Sequence, residues 1–404
     1  MNFNLNEFLS SVANTLDAVE IDIFGMPTNH SKRISYISAR IAHELNLSDK
    51  DIYDLAALSI MHDNGATIKI LEEKKNLSIR EIQNITESRK EHCIIGEENI
   101  SHFPFHSSQK NVIKYHHEKY DGSGFFGITG TDIPLFSQII ALADTLDLNF
   151  ILNRGKIEDA RKLIDDKRDV FFASYLADIF LSISEHDEFW DALSDEKIDE
   201  SLRNVIPAFE NELSYREIRS LTKTFSKIID AKSVFTQTHS SGLSKRVAKM
   251  ANFYKMDPIL KHKLAIASDL HDLGKLSIRN SILDKPGKLT VEEFDIIKKH
   301  PVTTRHCLQG IKGFEEITLW ASNHHEKLDG SGYPNGLTAK EIDFPTRLIV
   351  CLDIYQALRE KRPYRNAVSH DQAMSILNSM VKSGKIDGDI VRDIGIVYAK
   401  KEKH

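Results

Sequence analysis

The chain has 404 residues, 41% of them hydrophobic and 28% charged, with a net charge of −6. That length and balance suit a soluble globular protein with room for two domains. A mildly acidic chain is a poor match for long nucleic acid, which is gripped by clustered Lys and Arg, but a small phosphate ligand held through cations stays open.

Cys93, Cys307 and Cys351 show no paired spacing, so a disulfide framework is not expected and a reducing compartment is. The opening residues MNFNLNEFLSSVANTLDAV lack a basic start followed by an apolar core, so no signal peptide is read. The most apolar run, around Ile139 to Leu152, is interrupted by Asp144, Asp147 and Asn149, so no membrane span is expected and the cytoplasm is the simplest location.

From the N-terminus, His30 lies in NHSKR, and Ile34, Ile37, Ile41 and Leu45 continue as a helical stripe. His62-Asp63 follows, then a capping-box pattern of Ser78 and Glu81 preceded by Leu77. His92 lies in KEH, His116 opens HHEKYDGSGFFG, and Asp144 lies in ALAD. A long helical stretch is predicted from about Ile157 to Leu193, and the polar run SDEKIDESLRNVIP ends at Pro207.

The same order then returns. His239 lies in THSSGLSKR before a stripe of Val247, Met250, Ala251 and Tyr254. His271-Asp272 opens HDLGK, a box of Thr290 and Glu293 follows Leu289, and His300 lies in KKH. His324 opens HHEKLDGSGYPNG, Asp353 lies in VCLD, and the segment from His370 to Tyr398 matches the earlier helical stretch. Five groups recur in one order at an offset of 208 or 209 residues, which marks a tandem duplication. The expectation is an all-α protein of two tandem helical domains, residues 1–205 and 206–404.

In the second copy His239, His271, Asp272, His300, His324, His325 and Asp353 supply five imidazoles and two carboxylates. Such donors suit iron, manganese, nickel or zinc. Seven are too many for one ion with an open position, but suit two ions sharing a carboxylate, and Asp272 beside His271 is the natural bridge. Asp353 lies in the apolar run LIVCLDIYQAL, where a buried carboxylate needs a strong partner. A lone His-Asp pair or HHE carries little meaning; their repetition at constant offset carries the metal reading. The first copy keeps His30, His62, Asp63, His92, His116, His117 and Asp144 as a second candidate set. Histidines without a counterpart are assigned nothing, and Ser240, Cys307 and Cys351 are rejected as nucleophiles.

On His239-Ser240, HDLGK at 271–275, His300-Pro301, HHE at 324–326, DGSGYP at 329–334, Asp353 and RPYR at 362–365, the second copy resembles the HD-GYP phosphohydrolases, a bacterial branch of the HD superfamily. The likeness runs from about Leu221 to Arg365, and more weakly over residues 12–150 of the first copy. It implies an all-α fold with a bimetal or trimetal site, usually iron or manganese. It also implies hydrolysis of a cyclic dinucleotide, cyclic di-GMP or 3′,3′-cyclic GMP-AMP, to a linear dinucleotide or mononucleotides. One ion would take His239, His271, Asp272 and Asp353, and the other Asp272, His300, His324 and His325. Lys275 matches the lysine that contacts the scissile phosphate. Three-metal members carry a glutamate where this chain has Phe235, and Met26 in the first copy, so two ions are expected. Gln356 stands where many members place a second aspartate.

In that reading a water shared by the two ions is activated as hydroxide and attacks phosphorus in line, with Asp272 and Lys275 as the catalytic residues. Glu326 is expected to orient a ligand histidine. Tyr333 would stack on a purine or pack in its loop, and Arg362 and Arg365 would meet phosphate or a neighbouring helix. The first copy has Ala66 at the lysine position, Phe125-Phe126 in place of Tyr-Pro, and no clear RPYR. It is therefore expected to bind metal and to hydrolyse weakly or not at all. A competing reading is a cyclic-dinucleotide sensor acting through protein contacts at the GYP loop. A third is a hydrolase of another nucleotide. A homodimer is compatible with all three.

Overall fold

The computed structural model describes residues 1–24, 28–65, 90–107, 110–152, 156–233, 239–360 and 366–399. The chain divides into two compact units, residues 2–211 and residues 212–404 together with Met1. Helices build both, as the sequence predicts. Among the described residues the strand segments are Asn2–Phe3 and Asn211–Glu212, two residues each. No described helix is long and apolar enough to cross a membrane.

The first unit contains the helices Leu5–Phe24, His30–Glu44, Asp49–Ile60, Lys90–Ile100, Leu135–Leu152, Ile157–Asp166, Ser174–Ile183, Asp187–Asp191 and Ile198–Val205. The second contains Tyr215–Lys232, His239–Phe253, Pro258–Leu270, Asn280–Leu283, Val291–Ile297, His300–Leu308, Glu315–Ser322, Phe344–Arg359, His370–Lys382 and Gly388–Tyr398. The duplication is visible in this order. Each unit has a helix that opens on its first candidate histidine and a helix that ends just before His-Asp. Each also has a helix bearing the third histidine near its start and a long helix that carries the last aspartate.

Local chemistry fixes where these helices begin. Asp17 accepts from the Ser31 amide and hydroxyl at the start of His30–Glu44. Asp230 does the same work at His239–Phe253, accepting from the Ser240 and Ser241 amides at 2.8 and 3.2 Å. Ser48 caps Asp49–Ile60, and Asp257 followed by Pro258 starts Pro258–Leu270. The box of Thr290 and Glu293 forms both of its bonds; its partner at Ser78 and Glu81 lies outside the described residues. Ile34, Ile37 and Ile41 in one unit, and Val247, Met250 and Ala251 in the other, are buried as the stripes require.

Two segments differ from expectation. The stretch from Ile157 to Leu193 is three helices; between the first two, Asp169 turns the chain at φ 55° and accepts from the Ser174 amide and hydroxyl. The segment from His370 to Tyr398 is two helices, parted at Gly384 with φ 72°. The polar run before Pro207 is not bare connector. Its helix Ile198–Val205 buries Ile198 and Leu202 within the first unit, where Asp199 also meets Lys32 at 2.6 Å.

The helix Phe344–Arg359 carries Asp353, and Asp343 fixes its start. One Asp343 oxygen accepts from the Thr346 amide at 2.9 Å and the other from the buried Trp320 indole at 2.8 Å. Removing both bonds in Asp343→Ala is expected to lower the stability of the second unit by about 2 kcal/mol. Urea unfolding followed by Trp320 fluorescence in a Trp190→Phe background measures this, and an unchanged midpoint contradicts it.

Candidate metal centres

In the second unit the seven candidate donors converge. His239 Nε2 lies 2.9 Å from Asp353 Oδ1. Asp272 Oδ2 lies 3.3 Å from His271 Nε2, while its Oδ1 lies 3.3 Å from His300 Nε2 and 3.7 Å from His324 Nε2. Donor atoms of His239, His271 and Asp353 fall within 4.8 Å of one another, as do those of His300, His324 and His325, and those of His271, Asp272 and His324. The donors thus form two groups, and Asp272 stands between them.

Backbone carbonyls aim the imidazoles. Nδ1 of His271, His300 and His324 lies 2.8, 2.6 and 2.6 Å from the carbonyl three residues earlier. A carbonyl only accepts, so each Nδ1 carries the proton and each Nε2 presents a lone pair to the centre. His62 and His116 in the first unit are held the same way, at 2.9 and 2.5 Å. Gly274 makes one of these arrangements possible. A Cβ there would lie 2.1 Å from the His300 carbonyl oxygen, and Gly65 meets His92 at the same distance. Thr304 ties the two elements together, accepting from the Gly274 amide and donating to the His271 carbonyl.

The charges suit cation binding. Burial alone would raise the pKa of Asp272, but His271 and Lys275 outweigh it and hold the carboxyl well below its usual range. Burial, with the neighbouring His325, His271 and His300, holds His324 well below the ordinary imidazole value. Burial and His300 lower His325 to about 3. Burial opposes the charge on His239, yet Asp353 and Glu360 lift it to about 9. Ionised carboxylates facing the neutral imidazoles of His324 and His325 suit transition metals, and His239 would release its proton on binding one.

Unpartnered atoms test the fit. His271 Nε2 and Asp272 Oδ1 in the second unit, and His30 Nε2, His62 Nε2, Asp63 Oδ1 and His116 Nε2 in the first, are buried without a hydrogen bond. Other buried polar atoms of the described residues also lack a partner, Asn6 Oδ1 and Ser38 Oγ among them, so the fit rests on the clustering of these six with the remaining donors. The residues present fit divalent ions.

The first unit repeats the arrangement. His30, His62 and Asp144 form one group, and His92, His116 and His117 form another that also contains Cys93. Asp63 Oδ1 lies 3.5 Å from His92 Nε2 and 3.3 Å from His116 Nε2.

Outer contacts diverge between the units, and here sequence reasoning missed residues. His30 Nδ1 bonds Asp147 at 2.7 Å, and Arg33 also pairs with Asp147. Asp147 lies three residues after Asp144, on the same helical face, which is the signal that could have found it. In the second unit the equivalent positions are Gly242 and Gln356. A Cβ on Gly242 would lie 2.3 Å from Gln356 Nε2, so the two changes match each other sterically. Glu360, one turn further on, bonds His239 Nδ1 at 2.8 Å instead. Gln356 donates to Glu360 and accepts from Arg246. With Lys245, Arg246 and Lys249, Gln356 also lines a cleft of about 480 Å3.

Glu326 does not orient a histidine. It accepts from the Asn335 and Leu337 amides at 2.7 and 2.9 Å and so clamps the DGSGYP loop, as Glu118 clamps the first loop through Phe126 and Ile128. Tyr333 packs on His325 at a ring separation of 4.8 Å, and Phe125 on His117 at 5.3 Å. Lys275 Nζ lies 2.6 Å from Asp272 Oδ2. Met26, Ala66, Phe235, Arg362 and Arg365 lie outside the described residues.

The chain is similar to known proteins over both of its units. The HD domain family matches residues 22–155 and 223–390. The chain is 30% identical over 401 residues to 3′3′-cGAMP-specific phosphodiesterase 1 of Vibrio cholerae serotype O1, covering 96% of this chain and 90% of the relative. It is 33% identical over 179 residues to a cyclic di-GMP phosphodiesterase response regulator of Xanthomonas campestris, covering 44% and 47%. The crystal structure of a cyclic GMP-AMP specific phosphodiesterase of Vibrio cholerae matches at TM-score 0.67 and 25% identity, covering 99% of both chains.

Glu360 holds the ring of His239, so Glu360→Ala should weaken the ion bound by His239, His271 and Asp353 by about 10–100-fold. Glu360→Gln, which can still accept from Nδ1, should recover part of the loss. Calorimetric titration with manganese checks both, and an Ala variant with wild-type affinity would remove Glu360 from the account.

Proposed function

Because this chain belongs to the HD-GYP branch of the HD domain family, with a degenerate first copy, we propose that it hydrolyses 3′,3′-cyclic GMP-AMP in its second unit. It is a cyclic-dinucleotide phosphodiesterase. The choice of the mixed dinucleotide rests on relatives specific for it that align along nearly the whole chain, whereas the cyclic di-GMP relative aligns over less than half. The observation that carries the chemistry is the pair of donor groups meeting at Asp272, with Lys275 on its outer oxygen.

Iron or manganese ions held there, one by His239, His271, Asp272 and Asp353 and one by Asp272, His300, His324 and His325, would supply a nucleophile from water near neutral pH and stabilise charge on the phosphoryl oxygens. The chain's own residues do the rest. Asp272 fixes the spacing of the two groups. Lys275 places a cation beside the shared carboxylate, where a non-bridging phosphate oxygen can accept from it. The clamped loop carries Tyr333 against His325 as one wall. The first unit keeps the donors, but Phe125 and Ala66 replace the tyrosine and the lysine. It serves as a metal-binding, non-hydrolytic unit.

The test is to incubate manganese-loaded and iron-loaded protein with 3′,3′-cyclic GMP-AMP and with cyclic di-GMP, and to separate the products by chromatography. Cleavage of the mixed dinucleotide to linear product is expected, with cyclic di-GMP consumed more slowly. Equal rates would contradict the substrate assignment, and no cleavage of either would contradict the activity. Lys275→Ala should lower kcat by about 10²–10³-fold with metal content unchanged; a kcat within a few-fold of wild type would take Lys275 out of the chemistry.

A further inference from the structure

Cys93 follows His92 directly, at the position where the second unit has Pro301. Both residues lie near the start of their helices, but proline brings no donor atom. Cys93 is buried, and its Sγ lies 3.3 Å from His92 Nε2. It falls in one donor group with His92, His116 and His117, every ligand atom within 4.8 Å of the others. Asp63 Oδ1 approaches two of those histidines at 3.5 and 3.3 Å. The thiol therefore stands where the first unit gathers donors for its second ion.

We infer that Cys93 binds that ion as a thiolate, so that the first unit holds a mixed nitrogen and sulfur metal site which the second unit lacks. The inference rests on the reading that the first unit binds metal. On binding, the sulfur–metal bond forms as the thiol proton leaves to solvent. Two consequences follow from ligand chemistry. A soft thiolate favours zinc or cobalt, whereas the nitrogen and oxygen donors of the second unit suit iron or manganese. One chain then carries two centres of different metal preference. The thiolate also lowers the net charge of the first centre by one relative to the second. Ions in a less positive centre polarise phosphate and water less, which agrees with a unit that has lost its substrate contacts.

Cobalt loading of the full chain tests this. Wild-type protein should show a sulfur-to-cobalt charge-transfer band in the near ultraviolet together with visible ligand-field bands. Cys93→Ser should lose the first and keep the second, with weaker zinc binding and unchanged manganese binding by the second unit. Cobalt bound at the first centre with no charge-transfer band, or a band that survives in Cys93→Ser, overturns the thiolate ligand. A cobalt stoichiometry that does not fall in a His92→Ala, His116→Ala double variant instead shows that the first unit takes no metal, a separate failure. If Cys93→Ser does not fold, zinc X-ray absorption of the wild-type protein reads the same contact. Sulfur scattering at about 2.3 Å is then expected, and its absence overturns the proposal.

Discussion

Asp272 is a carboxylate 1% exposed, and its two oxygens face His271, His300, His324 and Lys275 within 2.6 to 3.7 Å. A buried anion is expensive unless cations surround it. The three histidines cannot all supply that charge: burial keeps His300 and His324 neutral toward lower pH, helped by Lys275 at the first and by the neighbouring histidines at the second. Metal ions resolve the conflict, because neutral imidazoles and an ionised carboxylate are then both satisfied. The close pass of Gly274, the aimed imidazoles and the capped helices bring these donors to one point.

The first unit shows how such a centre diverges after duplication. Seven candidate donors of each unit match pair by pair, but the bonds behind them do not. Arg33 and Asp147 are exchanged together for Gly242 and Gln356, and Glu360 takes over the ring of His239. Both glutamates of the HHE motifs remain loop clamps, so the loop frame outlasted the tyrosine it carries in the second unit.

The all-α class, the duplication and the convergence of the fourteen candidate residues were legible because each of them recurs at nearly one offset, a signal independent of three-dimensional contacts. What escaped were contacts made through space. Glu360 is two helical turns from Asp353 and has no partner at its offset in the first copy. Cys93 looked solitary because its neighbours His116 and His117 are distant in sequence. Glu326 looked like a histidine orienter because it follows two histidines, but the chain turns after them and brings the Asn335 and Leu337 amides to it. The long helix expected after Ile157 is first parted around Asp169, whose left-handed backbone is a local choice that hydrophobic periodicity does not register.

The central claim is that hydrolysis belongs to the second centre and depends on its shared carboxylate. It is tested most directly by comparing turnover of 3′,3′-cyclic GMP-AMP in Asp272→Ala and Asp63→Ala, each checked for folding by circular dichroism. The account predicts that Asp272→Ala falls to background while Asp63→Ala stays close to wild type. Substantial turnover in Asp272→Ala, or its loss in Asp63→Ala alone, would contradict it.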